Sequence, residues 1–86
     1  MVMVFEVLNR LKWKGGLELA DIIILHRGAP GDMKAIKGSQ LTGLDRHYFW
    51  YSESGNEITI PLHRVRRIRL EGKLIWERKE KPQGQD

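Results

Sequence analysis

Val4, Val7, Leu8 and Leu11 recur at the i, i+3, i+4, i+7 spacing that lines one side of a helix. Glu6, Asn9, Arg10 and Lys12 fall on the other sides. The pattern predicts a helix over residues 4–13. No strong N-cap residue marks its start, and Gly15-Gly16 ends it, because glycine tolerates the left-handed conformation of a helix terminus. From Ala20 the period changes. The run Ile22-Ile23-Ile24-Leu25 predicts a strand over 20–25, buried on both faces. Two glycines and a proline then make a defined loop of His26-Arg27-Gly28-Ala29-Pro30-Gly31-Asp32. Residues 33–37 predict a second short strand, and 38–45, weakly patterned, a loop with a little strand.

The second half alternates more clearly. Residues 47–52 hold the aromatic run Tyr48-Phe49-Trp50-Tyr51 and predict a strand. Alternation sends only half of that run to either face, with Phe49 or Trp50 expected in the core; Trp13 and Trp76 are expected in the core or at its rim. Residues 53–56 supply a turn, and 57–60 a strand with Ile58 and Ile60 on one face. Pro61, which has no N–H to donate, ends its ladder. Leu62-His63-Arg64 suits a single helical turn. In 65–70, Ile68 and Leu70 point inward and Arg67 and Arg69 outward. Glu71-Gly72 is a tight turn, and 73–78 the last strand. The fold class that follows is α+β: an N-terminal amphipathic helix plus a small, curled, mainly antiparallel, barrel-like sheet of about five strands. Residues 1–78 form one domain. Residues 79–86 are polar, have nothing to bury, and are expected to be a disordered tail.

Composition narrows the function classes. A chain of 86 residues supports one modest core. The apolar start is interrupted at once by Glu6, Asn9 and Arg10, unlike a secretory signal. No apolar run approaches the roughly 20 residues needed to span a bilayer. The absence of cysteine excludes disulfides, thiolate metal sites and a cysteine nucleophile, and fits a reducing cytoplasm. With 15 Lys+Arg against 11 Asp+Glu, the net charge of +4 points to a polyanionic partner.

The candidate chemistry gathers around a repeated tripeptide. Leu-His-Arg occurs at 25–27 and again at 62–64, each time where an isoleucine-containing strand gives way to a loop. Arg27 offers a planar fork that matches two phosphate oxygens, and N–H groups around Gly28 and Gly31 could form an anion nest. Equally, such a loop could serve backbone geometry alone. His26 and His63 could donate hydrogen bonds to a phosphate or act as general acid and base on a phosphodiester. They could also be half-buried side chains bonded to backbone. Arg10 and Lys12 on the helix, and Arg64 beside His63, are the further cations placed to contact a phosphate backbone. Arg64, Arg66, Arg67 and Arg69 crowd one strand region and could form an electrostatic footprint for such a backbone if they share a face with the loop; Arg67 and Arg69 alternate with core positions and read as a solvated face. The aromatic run could stack bases or fill the core. Three histidines without close ligand spacing argue against a metal, and no serine lies in a nucleophile context. No cofactor is expected.

Four segments together resemble a known family: Leu8-Asn9-Arg10-Leu11-Lys12-Trp13, Ile24-Leu25-His26-Arg27-Gly28-Ala29-Pro30-Gly31-Asp32, Ile60-Pro61-Leu62-His63-Arg64-Val65 and Ile75-Trp76-Glu77-Arg78. The chain is similar to an archaeal family of uncharacterised proteins whose domain is named for recognition of RNA cyclic group ends. The resemblance runs from about Phe5 to Arg78. Its signature falls here on Arg10, Trp13, His26, Arg27, Gly28, Pro30, Gly31, Asp32, His63 and Arg64, and carries nothing for 38–57. It implies an RNA-binding module for phosphate-bearing termini such as 2′,3′-cyclic phosphate. Any catalytic neighbour would be a separate RNA-processing enzyme. Two other expectations stand beside it. One is a ribonuclease or cyclic phosphodiesterase using His26 and His63. The other is a protein-interaction adaptor, which would show an exposed apolar patch and no basic concavity around Arg27.

Overall fold

A computed structural model describes residues 3–78. It opens with helix α1 (Val4–Lys14), which buries Val4, Leu8 and Leu11 and leaves its charged positions outside. With no classical cap residue, the start is held by Glu6, whose carboxylate accepts a 2.9 Å hydrogen bond from the Met3 N–H. The helix stops at Gly15 (φ +84°), whose N–H bonds the Leu11 carbonyl. Trp13, expected in the core or at its rim, is 80% exposed. It sits two residues past Leu11, about 200° around the helix and so away from the buried stripe.

Seven strands follow among the described residues: β1 (Ala20–Leu25), β2 (Met33–Lys37), β3 (Leu41–Leu44), β4 (Tyr48–Glu53), β5 (Asn56–Pro61), β6 (Val65–Leu70) and β7 (Lys73–Glu77). They form two antiparallel sheets, ordered β2-β1-β6-β7 and β3-β4-β5. The expectation of one curled, barrel-like sheet of about five strands is corrected on both points: among the described residues there are seven strands, in two sheets that do not close into a barrel. The reason is two corners. Short 3-10 turns at Gly38–Gln40 and Leu62–Arg64 carry the chain from one sheet to the other and back. The alternation of a strand reveals its faces but not which layer it joins. Residues 79–86, expected to form a tail, lie outside the described residues.

Both sheets and the helix share one core, from Leu8 through Ile22, Ile24, Ile36, Phe49, Val65 and Ile68. Strand β1 is not buried on both faces as its isoleucine run suggests. Ala20, Ile22 and Ile24 are buried, while Asp21, Ile23 and Leu25 are half-buried, because only one face of its sheet meets the helix and the second sheet. In β4 the buried pair is Phe49 and Tyr51, and Tyr48 and Trp50 face outward.

One ion pair ties the layers together. Lys34 of β2 meets Glu53 of β4 at 2.6 Å, with the Lys34 ammonium 5.7 Å from the Tyr51 ring centre. The hydrogen bond from Lys34 holds the Glu53 carboxyl below its ordinary value of 4.5, and Glu53 raises Lys34 above 10.5. A depressed carboxyl stabilises the fold above its unfolded pKa and loses that contribution as pH falls through its folded pKa. Glu53→Gln should therefore melt lower than wild type at neutral pH. The gap should close as pH falls below about 4.5, which thermal melts at stepped pH will check. A gap independent of pH would remove the charge from the explanation.

Candidate functional site

The two Leu-His-Arg segments meet because of strand pairing. Strand β1 runs antiparallel to β6, with Ile24 opposite Val65. The first segment therefore leaves β1 at the same end of the ladder where the second enters β6. Together they line a pocket of about 530 Å³ formed by Leu25, His26, Arg27, His63, Arg64 and Arg66. That volume suits a small ligand. Among the described residues, three arginines and two histidines line it beside Leu25.

Each side of the pocket is locally built. On the first, the loop between β1 and β2 folds on itself. The His26 N–H bonds the Asp32 carbonyl at 2.8 Å, the Ala29 N–H the His26 carbonyl, and the Asp32 N–H the Ala29 carbonyl. The Gly28 N–H points to the Asp32 carboxylate at 3.4 Å. Gly28 (φ +96°) and Gly31 (φ +66°) adopt conformations that favour glycine, and Asp32 (φ +57°) follows in the same region. The two glycines thus shape the loop without lining the pocket. Much of the N–H set that could have formed an anion nest is occupied inside the loop, so what the loop offers to the pocket is the exposed side chains of His26 and Arg27.

On the second side, the 3-10 turn Leu62–Arg64 anchors Leu62 in the core and leaves His63 and Arg64 exposed. The Leu62 N–H bonds the His47 carbonyl at 2.9 Å. Arg78 grips the turn from β7's end. Its Nε donates to the Val65 carbonyl at 3.0 Å, an Nη donates to the Leu62 carbonyl at 3.3 Å, and its N–H bonds the Arg66 carbonyl. Lysine cannot reproduce that fork. Arg78→Lys should therefore cost about 1.5–3 kcal/mol in urea unfolding, since hydrogen bonds from a charged donor contribute about that much. An unchanged midpoint would show that the turn holds itself.

Arg66, named in the arginine cluster of the second half but not among the preferred candidates, lines the pocket as well. Ile23 pairs with Arg67 and Ile24 with Val65, so Arg66 is the extra residue of a β-bulge. A bulge re-aims a side chain, and here the re-aimed residue lines the pocket. A signal was present: Val65 and Ile68, both buried, are separated by two arginines, which breaks the two-residue period. Arg67 forms a surface pair with Glu77 at 2.9 Å.

The remaining candidates lie elsewhere. Arg10 is exposed on α1 and outside the pocket lining. Lys12 borders a separate recess of about 230 Å³ with Leu17 and Leu41–Leu44. No group of three or more His, Asp or Glu side chains among the described residues is arranged to hold a metal. No helix among them is long and apolar enough to cross a membrane.

Known proteins are similar to this chain over most of its length. The UPF0248 protein of Thermococcus onnurineus (strain NA1) is 40% identical over 83 residues, covering 93% of this chain and 90% of the relative. The UPF0248 protein TK0315 of Thermococcus kodakarensis is 39% identical over 78 residues, covering 87% and 90%. The UPF0248 protein LS215_2790 of Saccharolobus islandicus is 32% identical over 77 residues, covering 85% and 95%. No solved structure gives a significant match. The profile described as the MJ1316 RNA cyclic group end recognition domain matches residues 1–78, so the chain belongs to that family.

Proposed function

We propose that the chain is an RNA-binding module that holds a phosphate-bearing RNA terminus, 2′,3′-cyclic phosphate included, in the His/Arg pocket. One observation carries the reading. Among the described residues, His26, Arg27, His63, Arg64 and Arg66 line one pocket beside Leu25. The family's name points to the same class of ligand. Arg27 and Arg64 would each present a planar fork to the phosphate oxygens, with Arg66 adding a third cation. His26 and His63 would donate hydrogen bonds to phosphate or ribose oxygens. Gly28 and Gly31 would act by shaping the loop that carries Arg27. Arg10 and Lys12, away from the pocket, would contribute to long-range attraction of the RNA backbone. A cyclic end carries a single charge and no free 2′-OH, so selectivity would come from shape and donor placement.

The adaptor reading predicted no basic concavity around Arg27, and the pocket weighs against it. The enzyme reading keeps one favourable observation, that both histidines line one cavity. There one imidazole would take a proton from the attacking water while the other protonates the departing ribose oxygen. Without such activity, any processing of the held end would fall to a separate RNA-processing enzyme.

Fluorescence anisotropy at fixed salt tests the proposal, with short RNAs identical except for a cyclic phosphate, an open phosphate or a hydroxyl at the 3′ end. Tighter binding of phosphate ends than of the hydroxyl end, with the RNA intact by mass spectrometry afterwards, is the expected outcome. Equal binding to all three would reduce the protein to a backbone binder. Conversion of the cyclic end would make it an enzyme.

A further inference from the structure

We propose that the outer face of the three-stranded sheet is a nucleobase-stacking surface, with Tyr48 and Trp50 receiving the bases that precede the held terminus. The inference rests on the RNA-end reading and extends it from the terminal phosphate to the strand behind it. Strand alternation puts Phe49 (0% exposed) and Tyr51 (3%) in the core and turns Tyr48 (43%) and Trp50 outward on the same face. Their ring centres lie 6.4 Å apart, tilted by 45°. Gly43 of β3 pairs with Trp50, and a Cβ at Gly43 would come within 3.1 Å of the indole Cε3. The missing side chain lets the indole sit close against the β3 backbone.

The surroundings suit a polyanion's bases. Thr59 and Pro61 are the cross-strand partners of Trp50 and Tyr48 and carry no charge. The acidic residue on this face, Glu57, pairs with Ser52 farther along the strand and accepts a 2.8 Å hydrogen bond from the Thr42 hydroxyl.

The face is also continuous with the pocket. Tyr48 stands opposite Pro61, which leads directly into the turn bearing His63 and Arg64. His63 lines the main pocket and also a neighbouring recess of about 220 Å³, where Arg46, His47 and Arg78 join it. The β3–β4 turn presenting Arg46 and His47 is pinned by Asp45, whose carboxylate accepts the His47 and Tyr48 N–H groups at 2.8 and 2.7 Å. Those two bonds hold the Asp45 carboxyl below its ordinary value. Arginines and histidines therefore run from Arg27 and Arg64 past His63 to Arg46 and His47, and the aromatic face begins at the next residue. A basic track ending in stacked aromatics is how single-stranded nucleic acids are held without sequence readout. A free phosphate or a cyclic mononucleotide needs only the pocket.

The test compares full-length protein binding to adenosine 2′,3′-cyclic monophosphate, to a trinucleotide with the same cyclic end, and to that trinucleotide with the two bases that precede its cyclic end removed. Wild type should bind the intact trinucleotide more tightly than the mononucleotide. Removing the bases should erase about tenfold per stacked base. Trp50→Ala should lose the same gain while leaving mononucleotide affinity unchanged, and Trp50→Phe should recover most of it. The base-free RNA probes the wild-type protein, so the test survives a variant that folds poorly. If base removal and Trp50→Ala both leave the gain intact, the stacking surface is overturned while end recognition stands. If hydroxyl-ended and cyclic-ended trinucleotides bind equally but both need Trp50, stacking stands and end recognition falls.

Discussion

The double variant Arg27→Ala, Arg64→Ala should lose nearly all preference for phosphate-ended RNA while melting close to wild type. Both side chains are exposed, so neither holds the core. Both line the pocket, one from each Leu-His-Arg segment. A charge-assisted hydrogen bond contributes about 1.5–3 kcal/mol, so each single change should weaken binding roughly 10- to 100-fold. The double change should bring cyclic-ended RNA down to the affinity of hydroxyl-ended RNA. Arginine-to-lysine versions should recover the charge but not the fork, and so restore affinity only in part. If the double variant keeps its preference for phosphate ends in anisotropy titrations, the pocket is not the site. The salt dependence is a second readout, because each phosphate no longer neutralised should flatten the log–log slope by about 0.7 on a single strand.

Gly38→Ala should produce the largest loss of stability. Gly38 is buried where the first corner between the sheets packs against the 3-10 turn Leu17–Leu19. A Cβ there would overlap the Leu17 carbonyl oxygen and lie 2.9 Å from its carbon. The obstacle is backbone, which cannot rotate away as a side-chain tip can. Overpacking of this kind costs about 1–3 kcal/mol and more when nothing yields, so a loss near 3 kcal/mol is expected. In a domain of this size that lowers the melting temperature by roughly 15 °C. Calorimetry will decide, and an unchanged melting temperature would mean that the corner has slack.

The elements that local pattern specifies were legible. The helix stripe of Val4, Leu8 and Leu11, the Gly15 stop, the Gly-Pro-Gly loop and the helical turn at Leu62–Arg64 all rest on neighbours a few residues apart. What the pattern did not carry depends on distant contacts. Strand β3 was hard to see because Gly43 interrupts its run, and that glycine makes sense only beside Trp50. The isoleucine run of β1 suggested burial on both sides because apolar composition does not say how many layers cover a sheet. For the site, the repeated tripeptide holds five of the lining residues, Leu25, His26, Arg27, His63 and Arg64, and the register between β1 and β6 explains why they meet. Arg66 needed the bulge, and Arg78 needed the fold that brings β7's end against the Leu62–Arg64 turn.

The pairing of Ile24 with Val65 has a consequence for the order of events in synthesis. A nascent chain that has not yet delivered β6 owns only half of the pocket, and the other half arrives after the whole three-stranded sheet has been made. A ligand that needs both halves recognises only the finished fold. Binding and global stability are then linked. A terminus bound at a hundred times its dissociation constant would add about 2.7 kcal/mol to the unfolding free energy, so the melting temperature itself becomes a sensor of occupancy.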